Sequence, residues 1–208
     1  MTDATTDPEL TADTIADLSA AYRETEPIYA VEQEQRETLP DALRAGEFGR
    51  RDAEWMVRWY FRRHLGAYPD RKRRAVEERF ESNPFDDVIA AITTAADRIE
   101  DEDVAGATTE LTALEGVDVG VASAFLAFLD PESCPVVSER EWRALRECGA
   151  IAEPYPDPLD VDDYRRYRSA CLEIAAETGH DLPAVTHALW RLRADGGGQD
   201  RDGQDRDD

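Results

Sequence analysis

Two short stretches of this chain contain residue types at spacings that a binding site or a catalytic site would need. The first is a five-residue turn that begins and ends with glycine, Gly116-Val117-Asp118-Val119-Gly120. A turn of this kind before a helix presents backbone N–H groups at the helix N-terminus, which is a favourable site for a phosphate. The second is Ser138-Glu139-Arg140-Glu141, which offers a hydroxyl and two carboxylates. Ser138 and Glu141 also match a capping box, so this stretch has a structural interpretation as well as a chemical one.

Helical patterns flank the turn on both sides. Upstream, residues 107–114 have the apolar spacing of a short helix. Downstream, apolar residues recur at helical intervals from Val121 to Leu129, and Asp130-Pro131 ends the run. The pattern predicts a helix-hairpin-helix unit at 105–130. The alternative is that the turn is only a tight connection between two helices.

The hairpin sequence resembles that of a known family. Residues 114–122, L-E-G-V-D-V-G-V-A, are similar to the L-P-G-V-G-x-K-x-A hairpin of the helix-hairpin-helix DNA glycosylases, the superfamily of endonuclease III and the 8-oxoguanine glycosylases. The resemblance extends over residues 84–193 when the flanking helices are included. It implies a multi-helix bundle whose hairpin binds the DNA backbone. It also implies a catalytic aspartate at position 138 and, in bifunctional members, a lysine at position 120.

This chain departs from the family pattern at both catalytic positions. Gly120 offers no amine for a Schiff base, and Ser138 has no negative charge to stabilise a developing sugar cation. Asp118 replaces the second hairpin glycine, and its carboxylate opposes an approaching phosphate. Glu139 or Glu141 could stand in for the missing aspartate. The resemblance therefore implies a DNA-binding protein without base-excision activity, and the alternative is an active monofunctional glycosylase with a displaced carboxylate.

A basic segment rich in aromatic residues, 50–74, interrupts the acidic pattern of the chain. It contains nine arginines and lysines against three acids, interleaved with tryptophan, tyrosine and phenylalanine. Such a segment is typical of a surface that tracks phosphates and stacks bases. The alternative is that the aromatic residues are core and the arginines pair with acids elsewhere. Besides the turn, the residues predicted to contact nucleic acid are Arg62, Arg63, Arg71, Lys72, Arg73, Arg74 and Arg140.

The overall composition limits the class of protein. The chain has 208 residues, 41% of them hydrophobic, which is enough for one domain with a real core. Its net charge is −23 and Lys72 is its only lysine, a bias that resembles that of haloarchaeal proteins. In molar salt the Debye length is only about 3 Å, so repulsion between these charges is screened. We interpret the acidity as a property of habitat, so it does not exclude binding to nucleic acid.

Other classes of site have little support in the sequence. The three cysteines have neither metal-ligand spacing nor the even number of a disulfide framework, so reduced thiols are expected. No dinucleotide fingerprint, phosphate loop, zinc motif or nucleophile elbow occurs, so neither a cofactor nor a metal is expected. No apolar run approaches the roughly 20 residues of a membrane span, and no signal peptide is visible. A cytoplasmic protein without a membrane partner is expected.

The periodicity predicts an all-α fold of nine to eleven helices. Residues 10–194 are expected to form a single helical domain between a disordered N-terminus (1–9) and a disordered low-complexity tail (195–208). Pro40 is expected to interrupt the helix that begins near Ile28. Besides the two DNA-directed hypotheses, a third is a helical interaction module with a protein partner and no nucleic acid.

Overall fold

The computed structural model describes residues 10–64 and 68–196, with side chains described as far as Leu192. The described residues form ten α-helices and no strand, which confirms the predicted all-α class. The helices are α1 Ala12–Thr25, α2 Tyr29–Ala45, α3 Arg50–Arg62, α4 Asp70–Glu81, α5 Phe85–Glu100, α6 Val104–Thr112, α7 Val119–Leu129, α8 Glu139–Glu147, α9 Val161–Thr178 and α10 Leu182–Gly196. The predicted disordered ends at 1–9 and 197–208 lie outside the described residues, and α10 continues through 195–196.

The helix that follows the turn is the centre of the fold. Helix α7 carries no charged residue, and every one of its residues is buried. A helix that is apolar all round has to be covered on every side, and α2, α3, α5, α6 and α9 pack around it. The buried side chains form one cluster that extends from Ile15 in α1 to Leu189 in α10. The hairpin at the start of α7 is therefore anchored directly in the core.

The first and last helices lie side by side. At one end of the pair, His180 Nε2 lies 2.9 Å from the carbonyl oxygen of Ala12. At the other end, Trp190 Nε1 donates a hydrogen bond of 3.2 Å to Glu26. The beginning of α1 thus lies beside the residues just before α10, and the end of α1 lies beside a later residue of α10. The two helices therefore run parallel.

The expected interruption at Pro40 is wrong, since α2 continues through it from Tyr29 to Ala45. Proline removes one helical hydrogen bond and clashes with the preceding turn, which normally kinks or ends a helix. Here Leu39 and Leu43, on either side of the proline, are buried with 5% and 0% exposure. Packing of this face against α5 and α7 holds the helix together across the proline.

Three further findings concern the site classes considered above. None of the described helices is both long enough and apolar enough to span a bilayer. Among the same residues, no three histidine, cysteine or acidic side chains are grouped as metal ligands. All three cysteines lie in the described part of the chain and form no disulfide; Cys134 and Cys171 are buried.

Candidate nucleic-acid interface

The turn that begins at Gly116 packs directly against the backbone of α4. Gly116 has a φ of +79°, and a Cβ atom there would lie 2.7 Å from the carbonyl oxygen of Val76 and 2.9 Å from the nitrogen of Phe80. Both the positive φ and the close approach require glycine. Asn83 clamps the entry to the turn, because its side chain donates to the carbonyl of Glu115 and accepts from the N–H of Glu115, each at 3.0 Å. Helix α4 and the turn thus form one continuous surface.

Exposure varies sharply within the turn itself. Asp118 is its exposed member, and Gly116 is half-buried. The backbone of Asp118 is extended (φ −87°), and its carboxylate accepts a 2.8 Å hydrogen bond from the N–H of Val121 as the N-cap of α7. A negative charge therefore already occupies the end of the helix that would attract an anion. The remaining members, which are buried, are Val117, Val119 and Gly120.

Gly120 lies under the side chain of Tyr60. A Cβ atom at Gly120 would lie 2.4 Å from the Tyr60 hydroxyl oxygen. That hydroxyl donates to the carbonyl of Val137 at 3.2 Å. Ser123 completes the connection, because its hydroxyl donates to the carbonyl of Gly120 at 2.6 Å and accepts from the N–H of Val137 at 3.0 Å. The start of α7 is thereby tied to the segment before α8, and Tyr60 occupies the space that a side chain at position 120 would need.

Ser138 and Glu141 belong to a buried ion-pair network. Ser138 is 3% exposed; its hydroxyl donates to Glu141 and also caps α8 by accepting from the N–H of Arg140 at 3.3 Å. Glu141 has no exposed surface, and its second oxygen accepts a hydrogen bond from Arg63. Burial by itself would raise the pKa of Glu141, but the charge of Arg63 and the hydrogen bonds from Ser138 and Arg63 together outweigh burial and lower the pKa, so the carboxylate is ionised. This carboxylate stabilises the fold and does not face solvent.

Arg63 lies in the core between two tryptophans. It is 3% exposed, and its guanidinium carbon lies 4.9 Å from the ring centre of Trp59 and 4.3 Å from that of Trp190. Burial lowers the pKa of Arg63, but Glu141 and nearby groups raise it further than burial lowers it, so the cation persists. The two rings add cation–π stabilisation. Arg140 covers Trp190 at 4.0 Å and donates to its carbonyl at 2.8 Å, so neither arginine is a free surface cation.

The aromatic residues of the basic segment are mainly core, as the alternative interpretation predicted. Trp59 is 2% exposed and stacks edge-on against Phe128 of α7 at 4.9 Å between ring centres. Tyr60 and Phe61 are also buried. Tyr68, just before α4, is half-buried, and its ring centre lies 4.8 Å from that of Phe61. Burial and, to a smaller extent, the charge of Asp118 raise the pKa of Tyr68.

The cations of α4 divide into paired and unpaired groups. Arg73 pairs with Asp70 at 3.1 Å and with Glu77 at 2.8 Å, and Arg74 pairs with Asp70 at 3.8 Å. Arg79, which the sequence did not single out, is the α4 cation next to the turn: its Cβ lies 3.2 Å from where a Cβ of the turn's first glycine would be. Five exposed cations of α3 and α4 form no ion pair with any described residue; they are Arg51, Arg62, Arg71, Lys72 and Arg79.

The structure therefore brings the hairpin and α4 together, removes Arg63 and Gly120 from the accessible surface, and leaves Arg140 partly exposed but held against Trp190. Glu139, the remaining acid of the second stretch, is exposed and pairs with Arg143 one turn along α8. The chain matches no family model, and comparison with curated proteins and with solved structures gave no match either. The functional interpretation of the hairpin consequently depends on its own residues and geometry.

Proposed function

We propose that this protein binds a nucleic-acid backbone through the hairpin at 116–120 and the adjoining face of α4, and that it does not excise bases. The observation that carries the proposal is the packing of Gly116 on the α4 backbone. It brings the cations of α4 next to the N-terminus of α7. Lys72, Val76 and Arg79 recur at helical spacing, so the two cations share the α4 face that meets the turn.

The second half of the proposal, the lack of base excision, is supported by the positions where helix-hairpin-helix glycosylases carry their catalytic groups. At one of them, Tyr60 fills the space above Gly120. At the other, Ser138 and Glu141 are buried with Arg63. Use of Glu141 by an active monofunctional glycosylase would require it to leave its ion pair, and removing one partner from such a pair typically costs about 3–5 kcal/mol. Glu139, the other candidate carboxylate, is exposed on α8 and pairs with Arg143.

The hairpin is tested by the substitution Asp118→Asn. Asparagine retains the N-cap hydrogen bond but removes the charge that opposes a phosphate. At about 6 Å in water, two unit charges interact by about 0.7 kcal/mol, so the substitution should tighten binding by up to about threefold. The measurement is fluorescence anisotropy of labelled duplex and single-stranded DNA. It starts at the lowest KCl concentration at which the wild-type circular dichroism spectrum is unchanged, because added salt screens the effect.

The α4 face is tested in the same titration by Lys72→Gln/Arg79→Gln, which removes the two unpaired cations of the face that meets the turn. The slope of log affinity against log KCl should become less steep by about 2, since each phosphate contact contributes about 1 to that slope. The matched control is Arg165→Gln/Arg166→Gln, which removes the same charge from exposed ion pairs on α9 and should leave the slope unchanged.

Two outcomes would overturn the proposal. If the folded wild-type protein binds neither form of DNA, or if both double variants lose the same slope, the hairpin and α4 are not a binding surface. The helical interaction module then becomes the better hypothesis. Release of any base from a panel of damaged duplexes would refute the lack of excision separately.

A further inference from the structure

Asn83, which directly follows the C-cap of α4, connects that helix to the entry of the hairpin. Its side chain is largely buried, since the residue is 8% exposed. Its Nδ2 donates one hydrogen bond of 2.8 Å to the carbonyl of Phe80 in α4 and a second of 3.0 Å to the carbonyl of Glu115. Its Oδ1 accepts a hydrogen bond of 3.0 Å from the N–H of Glu115. The carboxamide therefore holds Glu115, the residue before the turn, at a fixed place beside the end of α4.

The partners of this side chain require an amide at position 83. The NH2 group faces two carbonyl oxygens, and the side-chain oxygen faces a backbone N–H. An aspartate has the same shape but no hydrogen to donate when it is ionised, so its second oxygen would oppose both carbonyls. An alanine would leave both backbone groups of Glu115 without these partners. The position thus needs a donor and an acceptor side by side, which a carboxamide supplies.

Helix α4 has few other connections to the part of the molecule that carries the hairpin. It packs mainly against α3, and its buried residue Phe80 reaches α7 through Phe125, at 5.8 Å between ring centres. Arg50 of α3 holds Asn83 from the other side by donating to its carbonyl at 3.1 Å. Packing at Phe80 and at Gly116 brings α4 and the hairpin together. The directional hydrogen bonds of Asn83 then fix their relative position.

We propose that Asn83 is a positioning residue for nucleic-acid binding, an inference that rests on the proposed function of the hairpin and α4. Both of its amide hydrogens are already donated to backbone carbonyls, so it acts without contacting the ligand. The N–H groups of the hairpin and the cations Lys72 and Arg79 have to bind the same stretch of phosphate backbone. Fixing their separation before the ligand arrives avoids the entropic cost of ordering them on binding.

The test is the anisotropy titration of Asn83→Ala with labelled duplex DNA, at a KCl concentration where its circular dichroism spectrum matches that of the wild type. The affinity should fall by about tenfold or more, because the hairpin loses hydrogen bonds to a charged phosphate although every cation is retained. The matched control is Tyr22→Phe, which removes a buried hydrogen bond of 2.8 Å between α1 and α2. This variant should be destabilised as well, but it should bind DNA like the wild type.

A double-mutant cycle distinguishes positioning from a loss of stability. If Asn83 aligns the hairpin with the cations of α4, its removal has less effect once those cations are absent. In the Lys72→Gln/Arg79→Gln background, Asn83→Ala should therefore weaken binding by a factor at least about threefold smaller than in the wild type. Should Asn83→Ala fail to fold, Asn83→Ser, whose hydroxyl replaces one of the two donors, takes its place in the cycle under the same criterion.

Three results would overturn the positioning role: folded Asn83→Ala loses less than about tenfold in affinity, Tyr22→Phe weakens binding as much, or the cycle shows equal losses in both backgrounds. In each of these cases the wild type still binds DNA and the α4 double variant still binds it less tightly. Failure of the proposed function is different, because the folded wild type then binds no DNA at all.

Discussion

Substitution of Gly120 by alanine should destabilise the protein strongly, because Tyr60 occupies the space that the new methyl group needs. A Cβ atom there would lie 2.4 Å from the tyrosine hydroxyl oxygen and 3.1 Å from its ring carbon Cζ. Tyr60 therefore has to move by about 1 Å to reach ordinary van der Waals contact. Such a movement breaks the hydrogen bond from its hydroxyl to the carbonyl of Val137.

The expected cost follows from these two effects. An overpacked core typically costs about 1–3 kcal/mol. Leaving a buried hydroxyl or carbonyl unsatisfied costs about 1–3 kcal/mol more. Against this, alanine is a better helix former than glycine by up to about 1 kcal/mol. We expect Gly120→Ala to lower the free energy of unfolding by about 2–4 kcal/mol, a large share of the 5–15 kcal/mol of a typical domain.

The assay is urea unfolding in 2 M KCl followed by circular dichroism. A double-mutant cycle isolates the contact: Tyr60→Phe removes the hydroxyl, so Gly120→Ala/Tyr60→Phe should cost at least about 1 kcal/mol less than the sum of the single variants. Gly149→Ala is the control, because Gly149 has a φ of +75° with open space around it and reports backbone strain alone. A cost below about 0.5 kcal/mol for Gly120→Ala, or strict additivity in the cycle, would refute the claim that position 120 is closed.

Two further predictions concern buried charges. Glu141→Gln should lower the free energy of unfolding by about 3–5 kcal/mol, because it leaves Arg63 charged and uncompensated in the core. Glu139→Gln, in an exposed pair, should lower it by less than about 1 kcal/mol. Equal losses in urea unfolding would contradict the burial of Glu141. Burial lowers the pKa of His64 from 6.5 to about 4, so the unfolded state takes up this proton first as the pH falls, and stability should decrease between pH 6.5 and pH 4. His64→Gln should lose less stability than the wild type over that interval, and an identical pH profile would argue against a neutral, buried imidazole.

Local features of the sequence predicted the helices well. Ser138 caps α8 through its hydroxyl, and α7 ends at Leu129, directly before Asp130-Pro131. The burial of the helix from Val121 to Leu129 could also be predicted without knowledge of its tertiary contacts, because a helix that is apolar all round has to be covered on every side. Each of these signals depends on residues within one or two helical turns of each other, which is the range over which sequence spacing is informative.

The candidate site was less predictable, because its decisive contacts join residues far apart in the chain. Tyr60 reaches Val137 across 77 residues, and Arg63 reaches Glu141 across 78. Residue type alone does not separate Arg63 from its exposed neighbour Arg62. One signal was available: Trp59 lies four residues before Arg63, the spacing at which a ring and a guanidinium stack on one helix face. Nothing comparable marked Tyr60 as the residue that fills the space above Gly120.

The parallel pairing of α1 with α10 affects how this protein is made on the ribosome. Tyr22 of α1 stacks on His187 of α10, and the contact between Ala12 and His180 spans 168 residues. At about 5–20 residues per second, translation of that interval takes roughly 8–35 s. Throughout this time the apolar face of α1 lacks its native cover, while α2 to α7 can already pack together. Among the described helices, α1 is thus the first to emerge and among the last to dock, and its apolar face stays available to chaperones until α10 has been made.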